Sequence, residues 1–157
     1  MEQVKMQFPE WTKVAEVELI YKSKVKASER PLIRSSKDSC NVLRQIWDQN
    51  KMELFEEFKV LLLNRGNKVV GVYDVSRGGI TGTVADPRLI LAAAIKSLAV
   101  NIILSHNHPS GNLKPSRADE EITTKINEAA KYHDIKVLDH IIITAEEYYS
   151  FADEGLL

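Results

Sequence analysis

The spacing of apolar and polar residues divides the chain into alternating strand and helix patterns. Residues 1–13 carry little pattern and read as an arm, and the chain from Ala15 to Leu19 then alternates as a half-exposed strand does. Ala27 to Ile33 is charged, contains Pro31 and reads as a connection. Ser35 or Ser36 caps a helix whose apolar stripe is Val42, Leu43, Ile46 and Trp47. Met52 to Phe55 has no clear period. Phe58 to Leu63 is a strand, Asn64-Arg65-Gly66-Asn67 a turn, and Lys68 to Val75 the returning strand of a hairpin.

After a bend at Arg77-Gly78-Gly79 comes Ile80 to Val84, and then Asp86-Pro87, an N-cap acid followed by proline at the first helical position. That helix runs to about Leu98. Its stretch Leu89 to Ile95 is apolar nearly all round, which predicts deep burial. Val100 to Leu104 is a short β-branched run, a buried strand. Ser116 to about His133 is a third helix, Ile135 to Ile143 gives one or two strands, and Ala145 to Ser150 a helical turn. Strands and helices mix without a strict βαβ repeat. The expectation is an α/β or α+β layered domain with a mixed sheet. Residues 1–34 form an N-terminal arm and strand of the same domain, and residues 35–157 its main body.

Composition narrows the class. The 157 residues suit one domain, and 44% hydrophobic with 27% charged residues suits a globular protein. The formal charge of −1 argues against a surface built to grip many phosphates. No signal-peptide core opens the chain, and no apolar run is long enough to span a membrane. Cys40 is the only cysteine, which excludes an intrachain disulfide and a Cys-rich metal site and fits the cytoplasm.

The chemistry concentrates after the Val100–Leu104 strand, in Ser105-His106-Asn107-His108-Pro109-Ser110-Gly111. Side chains at i and i+2 of a strand point the same way, so His106 and His108 present two imidazoles to one point. Pro109 and Gly111 turn the chain, Ser116 opens the next helix and Asp119 falls in its first turn. Two imidazoles and a carboxylate make a three-ligand site with a fourth position open, the arrangement of catalytic zinc. Ser116 and Asp119 also have capping-box spacing. Both uses can hold, but a ligating Asp119 is expected to leave the box less reciprocal.

A hydrolytic zinc site needs a base from elsewhere in the chain. Glu56 and Glu57 precede the Phe58 strand and, being adjacent, face opposite ways, so at most one can serve. Asp139 and His140 are either partners that orient a ligand histidine or a satisfied core pair. His133 reads as a last-turn histidine favoured by the helix dipole, and Gly78 and Gly79 as turn residues. A zinc nucleoside deaminase is excluded, because the chain has neither H-x-E nor P-C-x-x-C.

The spacing His106-x-His108, seven residues, Ser116, two residues, Asp119 resembles the JAMM signature of the JAB/MPN metalloprotease superfamily, and His-Asn-His-Pro-Ser-Gly resembles its RadC branch. The similarity runs from about Arg34 to Leu157 and includes Thr81-Gly82-Thr83 and Leu138-Asp139-His140-Ile141. It implies a mixed sheet flanked by helices in the JAB/MPN (cytidine-deaminase-like) architecture. It also implies one Zn2+ per chain on His106, His108 and Asp119, and a Ser116 that helps hold a developing oxyanion. The RadC pattern Glu-x-Phe at the strand entry selects Glu56 as the base and leaves Glu57 a bystander. Longer RadC proteins carry a helix-hairpin-helix region ahead of the metal domain. The expectation is that this chain has no room for one, which weakens a DNA-binding role.

Three functions compete. The first is a zinc hydrolase cleaving an amide or isopeptide bond in a protein or peptide. The second is a RadC-type factor associated with DNA repair, with a basic face and salt-sensitive DNA binding. The third is a non-catalytic MPN scaffold. All three proposed ligands are present, which favours the first.

Overall fold

The computed structural model describes residues 20–78 and 84–157. The strand expected over Ala15–Leu19 and the Thr81-Gly82-Thr83 stretch lie outside them. Among these residues five strands form one sheet: β1 (Glu57–Leu63), β2 (Val69–Arg77), β3 (Asn101–Asn107), β4 (Lys136–Ile143) and β5 (Tyr148–Ser150). Their order is β2-β1-β3-β4-β5. Among the described strands only the β3–β4 pairing is parallel. A parallel neighbour needs a crossover, and α3 (Arg117–Lys131) supplies it.

β1 sits inside the sheet and is buried along its whole length. Its residues therefore serve two cores in alternation. Leu61 and Leu63 pack with Ile103, Ile141 and Ile143 beneath α1 (Ser36–Ile46), whose Cys40 and Leu43 face them. Phe58, Val60 and Leu62 pack on the other face with Ile102 and Leu104, beneath α2 (Pro87–Lys96) and α3. The result is a mixed sheet with helices on both faces.

The helix starts follow their local chemistry. Ser35 Oγ accepts from the Asp38 N–H at 3.2 Å, and the Asp86 carboxylate accepts from the Arg88 N–H at 2.9 Å ahead of Pro87. Among the described residues no helix is long and apolar enough to cross a membrane.

Three local expectations are corrected. Ala145 to Ser150 is not a helical turn. Thr144 and Glu147 close a tight reversal, with Thr144 N–H donating to the Glu147 carbonyl at 2.9 Å, and Tyr148–Ser150 return as β5 against Ile141–Ile143. Helix α2 is not buried all round. Ile90 and Ala94 are buried while Leu89 and Ile95 are about half exposed, at 48% and 47%. The sheet and α3 cover one arc of the helix, and the side-chain pattern carries no mark of which arc that is. Finally, α3 ends at Lys131, so His133 lies in the turn beyond it.

Candidate metal centre

Strand β3 delivers the two histidines. Ile102, Leu104 and His106 share the face that packs under α2 and α3, and His106 is almost fully buried. Phe58, its register partner on β1, lies parallel to the His106 ring at 5.9 Å between centroids. His108 follows just past the strand, its N–H donating to the Ile143 carbonyl at 3.1 Å. The chain then reverses: the Gly111 N–H donates to the His108 carbonyl at 3.0 Å, and Gly111 takes φ +78°, a left-handed conformation that glycine adopts without strain. This turn brings the Asn112 carbonyl to 2.5 Å from His108 Nδ1.

Helix α3 delivers the carboxylate. Ser116 Oγ accepts from the Asp119 N–H at 3.1 Å, and an Asp119 oxygen accepts from the Ser116 N–H at 2.7 Å. The capping box is fully reciprocal, contrary to expectation. A carboxylate has two oxygens with about four lone-pair sites, so capping leaves capacity to spare. Asp119 Oδ1 stands 3.2 Å from His106 Nε2, and Oδ2 stands 3.5 Å from His108 Nε2.

The third edge of the triangle, His106 Nε2 to His108 Nε2, is 2.9 Å. Four ligands at the Zn–N and Zn–O distances of about 2.0–2.2 Å would stand about 3.3–3.6 Å apart at the corners of a tetrahedron. The three observed edges bracket the lower end of that range. The far sides of both rings are committed, His108 Nδ1 to the Asn112 carbonyl and His106 Nδ1 to His140 Nε2 at 2.8 Å. A ring whose Nδ1 donates turns a lone pair inward at Nε2. The Asn112 carbonyl can only accept, so a neutral His108 turns its lone pair inward, toward His106 Nε2 and the Asp119 carboxylate. His106, His108 and Asp119 thus form a group that could hold a metal ion.

Burial opposes charge on His108, but hydrogen bonds to Asp119 and Asn112 and the negative charges of Asp119 and Glu56 carry its pKa above the ordinary histidine value. Burial alone would raise the Asp119 carboxyl, yet the His106 and His108 rings and the Ser116 N–H hold it well below the usual carboxylate range. Burial pushes His140 far down, helped by His106 beside it, so that ring is neutral.

The two candidate bases differ in their surroundings. Glu57 is buried on the α1 side, 2.9 Å from Arg77 Nε and 3.5 Å from Lys59 Nζ. Lys59 in turn meets Asp74 at 2.5 Å and lies over the Trp47 ring. Glu56 stands at the entrance to β1, half-buried, and its charge is felt at His108. Sequence reasoning missed Lys59 as a buried charge, although a lysine inside the apolar run of β1 is a legible signal.

Asp139 is a structural tie. Its oxygens accept from the His140 N–H at 2.7 Å, the Ala152 N–H at 3.0 Å and Ser150 Oγ at 2.6 Å, which fastens β5 and the chain beyond it to β4. Sequence reasoning also missed Thr123, whose Oγ1 lies 2.5 Å from His140 Nδ1. Its signal was a lone polar residue on the buried stripe shared with Ile126 and Ala130. Beside His108 a cleft of about 300 Å³ is lined by Glu53, Ser110, Leu113, Thr144 and Glu147. A larger groove of about 680 Å³ runs along β2 and contains none of the candidate residues.

The family described as RadC-like JAB domain matches residues 33–156. The chain belongs to the RadC family of the JAB/MPN superfamily. Among its relatives is a UPF0758 protein of Flavobacterium johnsoniae, 48% identical over 124 residues that make up 79% of this chain and 53% of the relative. A UPF0758 protein of Symbiobacterium thermophilum is 40% identical over 136 residues, 85% of this chain and 57% of the relative. The chain thus spans about half the length of the curated relatives it matches. The match covers both histidines, the Ser116–Asp119 cap and the Glu56 entrance, so the centre lies wholly inside the RadC-like JAB domain.

Proposed function

We propose that this RadC-like domain is a zinc-dependent hydrolase of JAMM type that cleaves an amide or isopeptide bond in a protein or peptide. One observation carries the reading: His106 Nε2, His108 Nε2 and the Asp119 carboxylate converge within 2.9–3.5 Å while the opposite sides of both rings are already hydrogen-bonded. In this reading His106, His108 and Asp119 hold one Zn2+. Bound there, zinc supplies a lowered pKa for a coordinated water, to about 7, and polarisation of a carbonyl oxygen.

The chain's own residues do the rest. Glu56 takes the proton of the attacking water and returns it to the leaving nitrogen, the work of a general base that turns acid. The reach of its charge to His108, with Glu57 tied instead to Arg77 and Lys59, supports giving the role to Glu56. The Ser116 hydroxyl accepts from the Asp119 N–H and still carries its own proton, which it donates to the carbonyl oxygen as negative charge gathers there. The cleft beside His108 receives the substrate chain. The lone, buried Cys40 suits work in the reducing cytoplasm.

Metal analysis of the purified protein tests this first, with one zinc per chain expected and His106→Ala/His108→Ala expected to abolish it. Hydrolysis of peptide and isopeptide substrates, absent after chelation, completes the test. Full zinc loading of the double variant overturns the ligand set. DNA binding that weakens with salt, with no hydrolysis of any peptide bond, would favour the repair-associated role instead.

A further inference from the structure

Behind the three candidate ligands lies a buried relay of two side chains. His106 Nδ1 is 2.8 Å from His140 Nε2, His140 Nδ1 is 2.5 Å from Thr123 Oγ1, and Thr123 Oγ1 is 2.6 Å from the carbonyl oxygen of Asp119. His140 and Thr123 are both buried, and the Phe151 ring stacks on His140 at 4.7 Å. The chain therefore leaves one candidate ligand, crosses from β3 to β4 to α3, and ends on the backbone of another.

A neutral imidazole has one N–H and one lone pair, and a hydroxyl has one proton, so the relay can run in only two directions. In one, Thr123 gives its proton to the Asp119 carbonyl, accepts from His140 Nδ1–H, and His140 Nε2 accepts from His106 Nδ1–H. All three contacts are then hydrogen bonds. In the other, Thr123 gives its proton to His140 and every bond reverses. The 2.6 Å contact between Thr123 Oγ1 and the Asp119 oxygen is then left without a proton, two lone-pair oxygens facing each other. Within the relay the first direction keeps one more hydrogen bond and avoids that repulsion, whereas the second would put a proton on His106 Nε2, 3.2 Å from Asp119 Oδ1, where a metal could not then bind. The first direction places the His106 proton on Nδ1 and its lone pair on Nε2, facing His108 and Asp119.

We infer that Thr123 and His140 are positioning residues of the centre, fixing His106 in the tautomer that can bind a metal and locking its ring to the helix that carries Asp119. The inference rests on the metal-centre reading above and adds to it the source of the ring's orientation. The relay does not touch the reacting atoms. Partners that orient a ligand histidine in this way typically govern metal affinity by about 10–100-fold.

The test is zinc affinity, measured by competition with a chromophoric chelator on the full chain, together with ring-nitrogen NMR of the zinc-loaded protein. Thr123→Val keeps the shape and removes the hydroxyl, and is expected to weaken zinc binding about 10-fold. Thr123→Ser restores the hydroxyl and should stay within a few-fold of the unaltered protein. His140→Leu should lose about 10–100-fold, and His140→Gln, whose amide oxygen can reach about where Nε2 stands, should recover part of that loss. The NMR spectrum should show protons on Nδ1 of both His106 and His140. A proton on His140 Nε2, or equal zinc affinity in Thr123→Val and the unaltered protein, overturns the relay and leaves the ligand set standing. Failure of the unaltered protein to take up zinc overturns the metal centre and the relay with it. Thr123→Val, nearly isosteric, decides the matter if His140→Leu does not fold.

Discussion

The side-chain oxygen of Asn107 accepts a hydrogen bond from the backbone N–H of Glu57 at 2.7 Å. The same amide donates to the carbonyls of Met52 at 2.7 Å and Phe55 at 3.0 Å. Asn107 stands between His106 and His108, and its side chain points to the opposite face of the sheet. It thereby clamps the segment that carries Glu56 to the strand that carries both histidines. Asn107→Ala would strand one buried N–H and two carbonyls, each worth about 1–3 kcal/mol if unsatisfied, for an expected loss of about 2–4 kcal/mol after relaxation. Denaturant unfolding of the zinc-free protein measures it. Zinc uptake should persist and hydrolysis fall, because the base loses its anchor and the ligands do not.

Glu56→Gln should retain zinc and lose hydrolysis, since the amide cannot accept the proton. Glu57→Gln should retain both, at a cost in stability. Lys59 would keep Asp74 but lose a buried partner, so the cost should fall below the 3–5 kcal/mol or so typical of breaking a buried pair outright. Comparing turnover with unfolding midpoints for the two variants checks the division of labour. Lost turnover in Glu57→Gln alone would reverse it.

Ser116→Ala removes the cap hydroxyl that holds the Asp119 N–H. The loss of a cap costs about 1 kcal/mol in stability. A donor aimed at a developing oxyanion contributes about 2.7–4 kcal/mol to the barrier, so turnover should fall by about 10²–10³. Turnover that tracks the small stability change would reduce Ser116 to a cap.

Asp139 gives a pH signature. Burial raises its carboxyl above the ordinary value, and the hydrogen bonds from Ser150, Ala152 and His140 only partly offset this. A raised carboxyl binds its proton more tightly in the folded state. Its contribution is most favourable below the unfolded value of about 3.9 and is lost as pH rises through the folded value. Asp139→Asn should flatten that part of the stability profile. Its carbonyl oxygen can still accept from the His140 and Ala152 N–H groups, and its amide can donate to Ser150. Urea melts across the acidic range, compared between the two proteins, read the difference.

Much of the domain is legible from local pattern. The hairpin about Asn64–Asn67, the capped start at Asp86-Pro87 and the strand before His106 are set by neighbours in the chain, because turn chemistry, caps and side-chain alternation act over a few residues. The failures have one cause. The exposed arc of α2 and the return of Tyr148–Ser150 as β5 depend on which surfaces the sheet happens to cover or offer, and no local spacing encodes that.

The candidate site divides the same way. The sequence determined that His106 and His108 share a face, that Ser116 caps a helix with Asp119 in its first turn, and that only one of Glu56 and Glu57 can face the histidines. All of these follow from the two-residue period of a strand and the geometry of a helix start. Tertiary structure decided the rest. The parallel register of β3 and β4 brought His140, 34 residues from His106, to its Nδ1. The crossover through α3 set Thr123 against His140 and the Asp119 carboxylate against both Nε2 atoms. Asn107 gained its buried partners only when the Met52–Glu57 segment folded against the back of β3. Pattern fixes which way a side chain points from its own strand or helix, whereas what it meets depends on how separate elements pack, and that is settled by the burial of both cores together.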